Sequence, residues 1–204
     1  RIAKAVKNVI PLYDDFDGKG CFQEFRDTDF AEKGKLSKVL WAGDGKVVKK
    51  PGHGRVLEMS HDGKGDHPFL FLGSPRQIKF SEIKSVSYDL MVPSSNNSAN
   101  FGGGIRFHTS LNDKYYFMQF GFWTNGKEVN LSGNWHNLAD DSWKQTDFVS
   151  VAPDTWHNVR VDILKVKKNL VTLALYIDGK KIHQGIANVG FDIEKIDKLD
   201  WGPD

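Results

Sequence analysis

Alternation of apolar and polar residues is clearest between residues 155 and 182. Every second residue is apolar in Asn158–Ile163, and again in Val171–Ile177 after a short basic break. A period of two turns one set of side chains towards a core and the other towards water, which predicts two half-buried antiparallel strands. Asp178-Gly179 supplies a turn with positive φ, so the chain is predicted to return along Lys180–Ile182.

Runs of this kind recur along the chain, separated by Gly, Asp-Gly or Asn-Gly, and no window of helical length keeps a 3.6-residue period. Short turns are expected at Phe80–Ile83 and Phe191–Ile196. The predicted strands are Val39–Trp41, Lys46–Val48, Arg55–Met59, Phe69–Leu72, Val86–Val92, Gly104–Thr109, Tyr115–Trp123, Phe148–Val151, His157–Lys165, Leu170–Ile177, Lys181–Gln184 and Lys198–Trp201. Many short strands with turn residues between them predict an all-β fold, a two-sheet antiparallel β-sandwich of the jelly-roll type.

Three motifs carry a resemblance to a known superfamily. The first is Trp-His-x-Val-x-Val, a basic turn, and then Tyr-x-Asp-Gly-Lys, within residues 156–180. The acidic segment Tyr13–Gly18 and the final Leu199-Asp200-Trp201 are the others. Together they resemble the concanavalin A-like lectin/glucanase superfamily, including its laminin-G-like members. The resemblance implies one jelly-roll domain over residues 1–204; it does not select a function, because this fold carries lectins, glycosidases and lyases alike.

The resemblance also implies a structural calcium ion. In this superfamily the first and last strands lie side by side, and Ca²⁺ often joins them through an aspartate of the last strand and backbone carbonyls near the start. By that likeness Asp200 is the best ligand candidate, with a carbonyl from Gly52 or Gly54 and the carboxylate of Asp17. Hard oxygen ligands are what Ca²⁺ prefers. The alternative is that these aspartates are ordinary solvated turn and edge residues.

Two neighbouring predicted strands, joined by a hairpin at Leu111–Lys114, carry a candidate ligand site. Their apolar residues share one parity, so the other positions are expected on the opposite face of the sheet. That second face would carry Arg106, His108, Tyr115, Gln119 and Trp123. Glycines 102 to 104 are expected to leave room above their own strand. An aromatic face stacks on a pyranose while Arg, Gln and His bind hydroxyls or a carboxylate, so this face predicts a sugar site. A plain solvated sheet surface is the alternative.

The stretch from Trp123 to Trp143 is rich in Trp, Asn and Gly and only weakly periodic. This composition predicts a long loop, and long loops are often functional. Trp135, His136 and Trp143 are expected to form an aromatic platform at the rim of the site. The alternative is that a Trp in this stretch closes one end of the core.

Enzyme signals are weaker. None of the glutamates lies in the paired-carboxylate cluster that a retaining glucanase on this fold requires, which argues against a glycosidase. A polysaccharide lyase acting on uronate glycans remains an alternative. Tyr115 or His108 would then be the base, with Arg106 and Gln119 neutralising the carboxylate. The contiguous signatures of alginate lyases are absent from the sequence, so only the residue types support this hypothesis.

Composition limits the classes of ligand that the chain is expected to bind. With 28 basic and 26 acidic residues the net charge is only +2, which argues against a nucleic-acid ligand. No stretch approaches the ~20 apolar residues of a membrane span. The single cysteine, Cys21, cannot form an intrachain disulfide. Since the sequence starts at Arg1, an upstream segment such as a signal peptide is expected, and the resemblance implies a secreted or cell-surface protein.

These observations predict a lectin-like domain that binds an oligo- or polysaccharide without catalysis, alone or appended to other domains. Aromatic stacking and hydrogen bonding on a concave sheet face would provide the affinity, with Trp135 at the rim and Ca²⁺ as a structural ion. The uronate lyase is the first alternative. The second is a laminin-G-like domain that binds a protein through its loops.

Overall fold

The computed structural model describes residues 39–42, 44–60, 69–72, 80–96, 98–111, 114–124, 127–195 and 198–202. At 39–42, 44–47, 55, 60, 69–72, 98–101, 108–111, 114–117 and 198–202 it describes the backbone alone. Within these ranges the regular structure is β apart from two single-turn 3-10 helices, Phe80–Glu82 and Ile193–Lys195. The strands are β1 Val39–Ala42, β2 Asp44–Lys50, β3 Gly54–Ser60, β4 Phe69–Leu72, β5 Ser85–Met91, β6 Ser98–Leu111, β7 Lys114–Thr124, β8 Val129–Asn137, β9 Ser142–Gln145, β10 Val149–Val151, β11 Trp156–Lys167, β12 Leu170–Ile177, β13 Lys180–Asn188 and β14 Lys198–Gly202.

The strands form two main sheets and a separate hairpin. The large sheet runs β1-β4-β14-β6-β7-β8-β10, with β9 pairing the other half of β8. The small sheet runs β13-β12-β11-β5, and β2 and β3 form a two-stranded sheet among the described residues. Every one of these pairs is antiparallel. The prediction of an all-β, antiparallel jelly-roll sandwich is therefore confirmed.

The core lies between the two sheets, where the apolar parity of each strand meets its counterpart. Phe107, Phe120 and Leu131 of the large sheet are fully buried, as is Leu175 of the small sheet. Phe107 packs edge-on against Phe120, with ring centroids 6.4 Å apart. Burying a side chain of this size contributes about 1.5–3 kcal/mol. The alternating pattern in the sequence thus fixes which face of each strand points inward.

A partly buried tyrosine links the sheets. The Tyr88 hydroxyl on β5 donates a hydrogen bond to the Phe120 carbonyl on β7. Burial of this hydroxyl raises the pKa of Tyr88, although a hydrogen bond from the Ile105 backbone partly opposes the rise. Hydrogen bonding keeps the polar end of the ring satisfied inside the sandwich.

The Asp-Gly turn between β12 and β13 forms as predicted. Asp178 and Gly179 both have positive φ, 50° and 76°, which a two-residue type I′ turn requires. The Asp178 carboxylate accepts hydrogen bonds from the Asn158 backbone N–H at 2.8 Å and from His157 Nδ1 at 2.7 Å. Partial burial raises the pKa of Asp178, but the His157 and Asn158 hydrogen bonds outweigh it and hold that pKa below its ordinary value. His157 therefore helps to fix the turn.

The prediction of a long loop from Trp123 to Trp143 is wrong. Most of this stretch forms β8 and β9. Strand β8 alternates like the others, but Gly133 occupies one core-facing position and Asn and Ser occupy the outward ones, which hides the pattern. Burial between β7 and β10 overrides the low strand propensity of these residues. Trp135 belongs to the core and is 8% exposed, so the expectation that it lies at a ligand-binding rim is also wrong.

Candidate functional site

The face of the large sheet turned away from the core is polar. In β8 the core side carries apolar residues or glycine, while the opposite side carries two asparagines, a serine and a histidine. The cross-strand register places residues of the neighbouring strands beside them. We name this surface the polar face; it comprises Arg106, Gln119, Trp123, Asn130, Ser132, Asn134, His136, Trp143, Gln145 and Ser150.

Four of these residues form a line across four strands, which we name the amide row. Arg106 lies opposite Gln119, Gln119 opposite Asn134, and Asn134 opposite Gln145. Residues directly opposite in an antiparallel pair have Cβ atoms about 4.5–5.5 Å apart. Sequence reasoning placed Arg106 and Gln119 on one face, and the register brings them together. It missed Asn134, because β8 was predicted to be a loop.

The centre of the amide row contains two unsatisfied acceptors. Gln119 is only 3% exposed. Its Oε1 and the Oδ1 of Asn134 are buried, and within the described part of the chain neither accepts a hydrogen bond. Buried carbonyl oxygens are normally paired, so two on adjacent residues require an explanation.

Other polar groups of the face are satisfied within it. Ser150 donates to Asn130 Oδ1 at 2.6 Å, and Gln145 Nε2 donates to Ser132 Oγ at 3.3 Å. Both contacts link β8 to the segment that covers its outer edge. The unsatisfied acceptors are therefore a local feature of the Gln119–Asn134 pair and do not extend along the whole face.

Aromatic rings lie beyond the amide row in both directions along the strands. On one side Trp143 is 52% exposed and stacks on His136, with ring centroids 5.0 Å apart. On the other, Trp123 contacts Phe148 edge-on at 5.9 Å, and Phe148 is 53% exposed. Their β8 partners, Asn130 and His136, are six residues apart, or about 20 Å at ~3.4 Å per residue. The face is thus long enough for several units of an extended sugar chain.

His136 is held in place by more than the stacking. Its Nε2 lies 3.0 Å from Asp141 Oδ1, in the turn between β8 and β9. Asp141 itself has φ 52°, a conformation that Asp tolerates better than most residues. The turn therefore positions the His136 ring beneath Trp143 and the Asp141 carboxylate beside His136.

The sequence suggested that the glycines of β6 leave open space above their strand, but they do not. Gly102, Gly103 and Gly104 are buried, and the β6–β7 register shifts between Ser98 and Gly103. A Cβ at Gly121 would lie 1.9 Å from the Gly103 carbonyl oxygen, and one at Gly104 would lie 2.2 Å from the Phe120 oxygen. These glycines allow two backbones to approach closely. Between the amide row and Trp123, the polar face therefore presents main-chain atoms and no side chain at Gly121.

Two residues of the predicted patch are described only by their strand positions. His108 lies opposite Phe117 and Tyr115 opposite Ser110, in the β6–β7 hairpin. The hairpin at Leu111–Lys114 is confirmed. Both side chains lie outside the part of the chain that the structure describes, so a base for the lyase alternative stays a prediction.

The calcium site also stays a prediction. Asp17 and the Asp200 side chain lie outside the described residues; the Asp200 backbone is opposite Arg106 and Phe71. Gly52 is in the exposed β2–β3 turn with φ 76°. Among the described residues no group of three or more His, Cys, Asp or Glu could hold a metal ion. In the same residues no helix is long and apolar enough to cross a membrane.

Comparison with known proteins assigns no family. No protein-family model matches the chain, and no curated protein is significantly similar to it. Among solved structures, the chain is similar to the T. cruzi calreticulin globular domain, with 17% sequence identity, a TM-score of 0.41 and 78% of this chain aligned. The aligned part spans 60% of that domain. A likeness this distant does not indicate what the chain binds.

Proposed function

We propose that the polar face binds an oligo- or polysaccharide without catalysis. The support is a combination of residue types on the outward side of one sheet: exposed aromatic rings at two positions and a row of amides between them. Gln119, Asn130 and Ser132 on this side are themselves buried. Indole and phenyl faces stack on the C–H face of a pyranose, and amides bind its hydroxyls. Binding would be weak, with a Kd of ~10–1000 μM, or about −7 to −4 kcal/mol.

The observation that carries this proposal is the position of Trp143. A large apolar ring that is 52% exposed would otherwise cost free energy in water. Here it is stacked on His136, which is held by Asp141, so the indole is presented in a fixed orientation beside the amide row. A preordered ring loses little entropy when a ligand binds.

A glycan array, followed by affinity electrophoresis on each positive polymer, tests the proposal. Trp143→Ala is expected to weaken binding by about tenfold or more, because stacking of one ring contributes roughly 1.4 kcal/mol or more. Ile186→Ala is the matched control. Ile186 is 62% exposed on the small sheet, so its loss removes a similar apolar area from the opposite side of the sandwich and is expected to leave binding unchanged.

Three outcomes would contradict the proposal. Absence of any glycan hit removes it and favours a laminin-G-like protein binder. Equal effects of Trp143→Ala and Ile186→Ala would mean that sugar binds elsewhere. Formation of unsaturated product from alginate or polygalacturonate, followed by its absorbance, would show a lyase instead.

We further propose Ca²⁺ as a structural ion and secretion as the setting, both from the sequence resemblance. If Asp200 holds calcium, EDTA is expected to lower the melting temperature and added Ca²⁺ to restore it, since binding to the folded state alone stabilises it. Asp200→Asn should abolish the difference. An unchanged melting temperature in EDTA would remove the calcium proposal while leaving sugar binding intact.

A further inference from the structure

The unsatisfied oxygens of the amide row point to the class of sugar that the polar face selects. Gln119 Oε1 and Asn134 Oδ1 are both acceptors, both buried, and both without a donor in the described residues. They lie on directly opposed residues of β7 and β8. Because both oxygens are buried, the two side-chain amides must turn outward to meet a ligand. That ligand must then bring two hydrogen-bond donors at neighbouring positions.

Adjacent hydroxyl groups of a neutral pyranose meet this requirement. Each hydroxyl can donate to a carbonyl oxygen and still accept elsewhere. A carboxylate cannot donate at all, so a uronate whose carboxylate lay beside the two amides would set negative oxygens against two more acceptors. We infer that the amide row binds neutral, hydroxyl-rich glycans and disfavours uronates, an inference that rests on the proposed function of the polar face.

Arg106 does not reverse this preference. It stands opposite Gln119 on β6, on the side away from Asn134, and it already takes part in another interaction. A carboxylate drawn to its guanidinium would still lie beside the unsatisfied Gln119 oxygen. A metal ion is a poor alternative occupant, because Arg106 adds positive charge to a pair of neutral oxygens.

A matched pair of polymers tests the inference. Polygalacturonate, alginate and glucuronan are each compared with the same polymer after chemical reduction of its carboxyl groups to primary alcohols, beside laminarin, mannan and xylan. Chain length and linkage stay constant within each pair, so only the charge and one donor differ. At least one reduced polymer is expected to bind, with an affinity about tenfold or more above that of its acidic form.

Two variants locate the effect. Asn134→Leu is expected to weaken binding of the neutral polymer about tenfold, while Asn134→Asp, which keeps an acceptor in place, is expected to stay within about threefold of the wild type. Circular dichroism melting curves show whether each variant folds. If Asn134→Leu does not fold, Gln119→Glu and Asn134→Asp, both with acceptors retained, still report on selectivity.

The outcomes separate this inference from the proposed function. If no polymer of either kind binds, the proposed function fails. If acidic polymers bind as well as or better than their reduced forms, only the preference for neutral glycans is overturned. It is likewise overturned if Asn134→Leu binds like the wild type while Trp143→Ala does not, since an internal amide–amide hydrogen bond would then account for the pair.

Discussion

The outward faces of the two sheets are both polar, but the buried groups that they leave without a partner differ in kind. On the small sheet the Asn158 amide donates to Ser87 Oγ at 3.1 Å and to Asp89 Oδ1 at 2.8 Å. Ser85 donates to Asp162 at 2.9 Å. Each face also keeps buried atoms without a hydrogen-bond partner in the described residues: a donor, Arg160 Nε, on the small sheet, and two acceptors, the Gln119 and Asn134 oxygens, on the large sheet.

The central arginine of the small-sheet face contacts neighbours within the fold. Arg160 on the small sheet lies 4.1 Å above the Tyr176 ring, and its Nε is 3.3 Å from Asp162 Oδ1, so its charge and its aromatic neighbour are used within the fold. On the polar face the exposed aromatic rings lie to either side of the amides. The unpartnered group on the small-sheet face is a donor, whereas the polar face combines two unpartnered acceptors with exposed aromatic rings, which is the combination that a sugar hydroxyl can use.

Among the substitutions that separate the two faces, Gly121→Ala is expected to have the largest effect on stability and glycan binding. A methyl group there would collide with the Gly103 carbonyl at 1.9 Å, and relieving such a clash costs about 3 kcal/mol. The polar face would be distorted and glycan binding lost. Urea denaturation and the glycan assay measure both effects.

Gly179→Ala is the control for Gly121→Ala. Gly179 has φ 76° in a turn beside the small sheet, with nothing within 4 Å of an added Cβ. Only backbone strain of about 1 kcal/mol is expected, with binding unchanged. If Gly121→Ala were no more destabilising than Gly179→Ala, the close approach of β6 and β7 would not shape the polar face.

A smaller effect is expected from Asp178→Asn, at the end of the small sheet. Because its pKa is lowered in the folded state, Asp178 contributes stability above the ordinary carboxyl pKa, and this contribution disappears as pH falls through the folded value. Asparagine keeps the turn geometry and one acceptor but removes the charge. Since Asp178 is half exposed, the loss at pH 6 should be a few tenths of a kcal/mol, as for other solvated pairs.

Thermal melts of the wild type and Asp178→Asn between pH 6 and pH 3 measure this effect. The difference between the two proteins should shrink as pH falls, while glycan binding at pH 6 stays the same. A difference that grows on acidification would contradict the role given to the His157–Asp178 pair.

Alternation predicted most of the fold, because a buried face requires apolar residues at every second position. It predicted β11, β12 and the Asp178-Gly179 turn, where local sequence and tertiary structure agree. It failed in β8, where Gly133 fills a position packed against Phe120, with only 2.4 Å between an added Cβ and the ring. The Phe120 ring leaves no room for a side chain at this position. A strand distant in sequence therefore requires the glycine, and the local pattern does not reveal it.

The candidate site was predictable to the same extent. Arg106 and Gln119 meet because a hairpin fixes the register of β6 and β7. Asn134 was missed because β8 was not predicted to be a strand. Phe148, just before β10, was missed because its contact with Trp123 joins residues distant in sequence. Trp135 was misplaced for the same reason: an indole in an Asn-rich stretch points inward once β8 is recognised as a strand.

Side-chain amide signals in a ¹H–¹⁵N NMR titration with mannan and laminarin oligosaccharides test the central claim most directly. Sugar binding on the polar face predicts that the NH₂ signals of Gln119 and Asn134 shift in a saturable way while that of Asn158, on the small sheet, stays in place. A shift of the Asn158 signal with Gln119 and Asn134 unmoved would contradict the account.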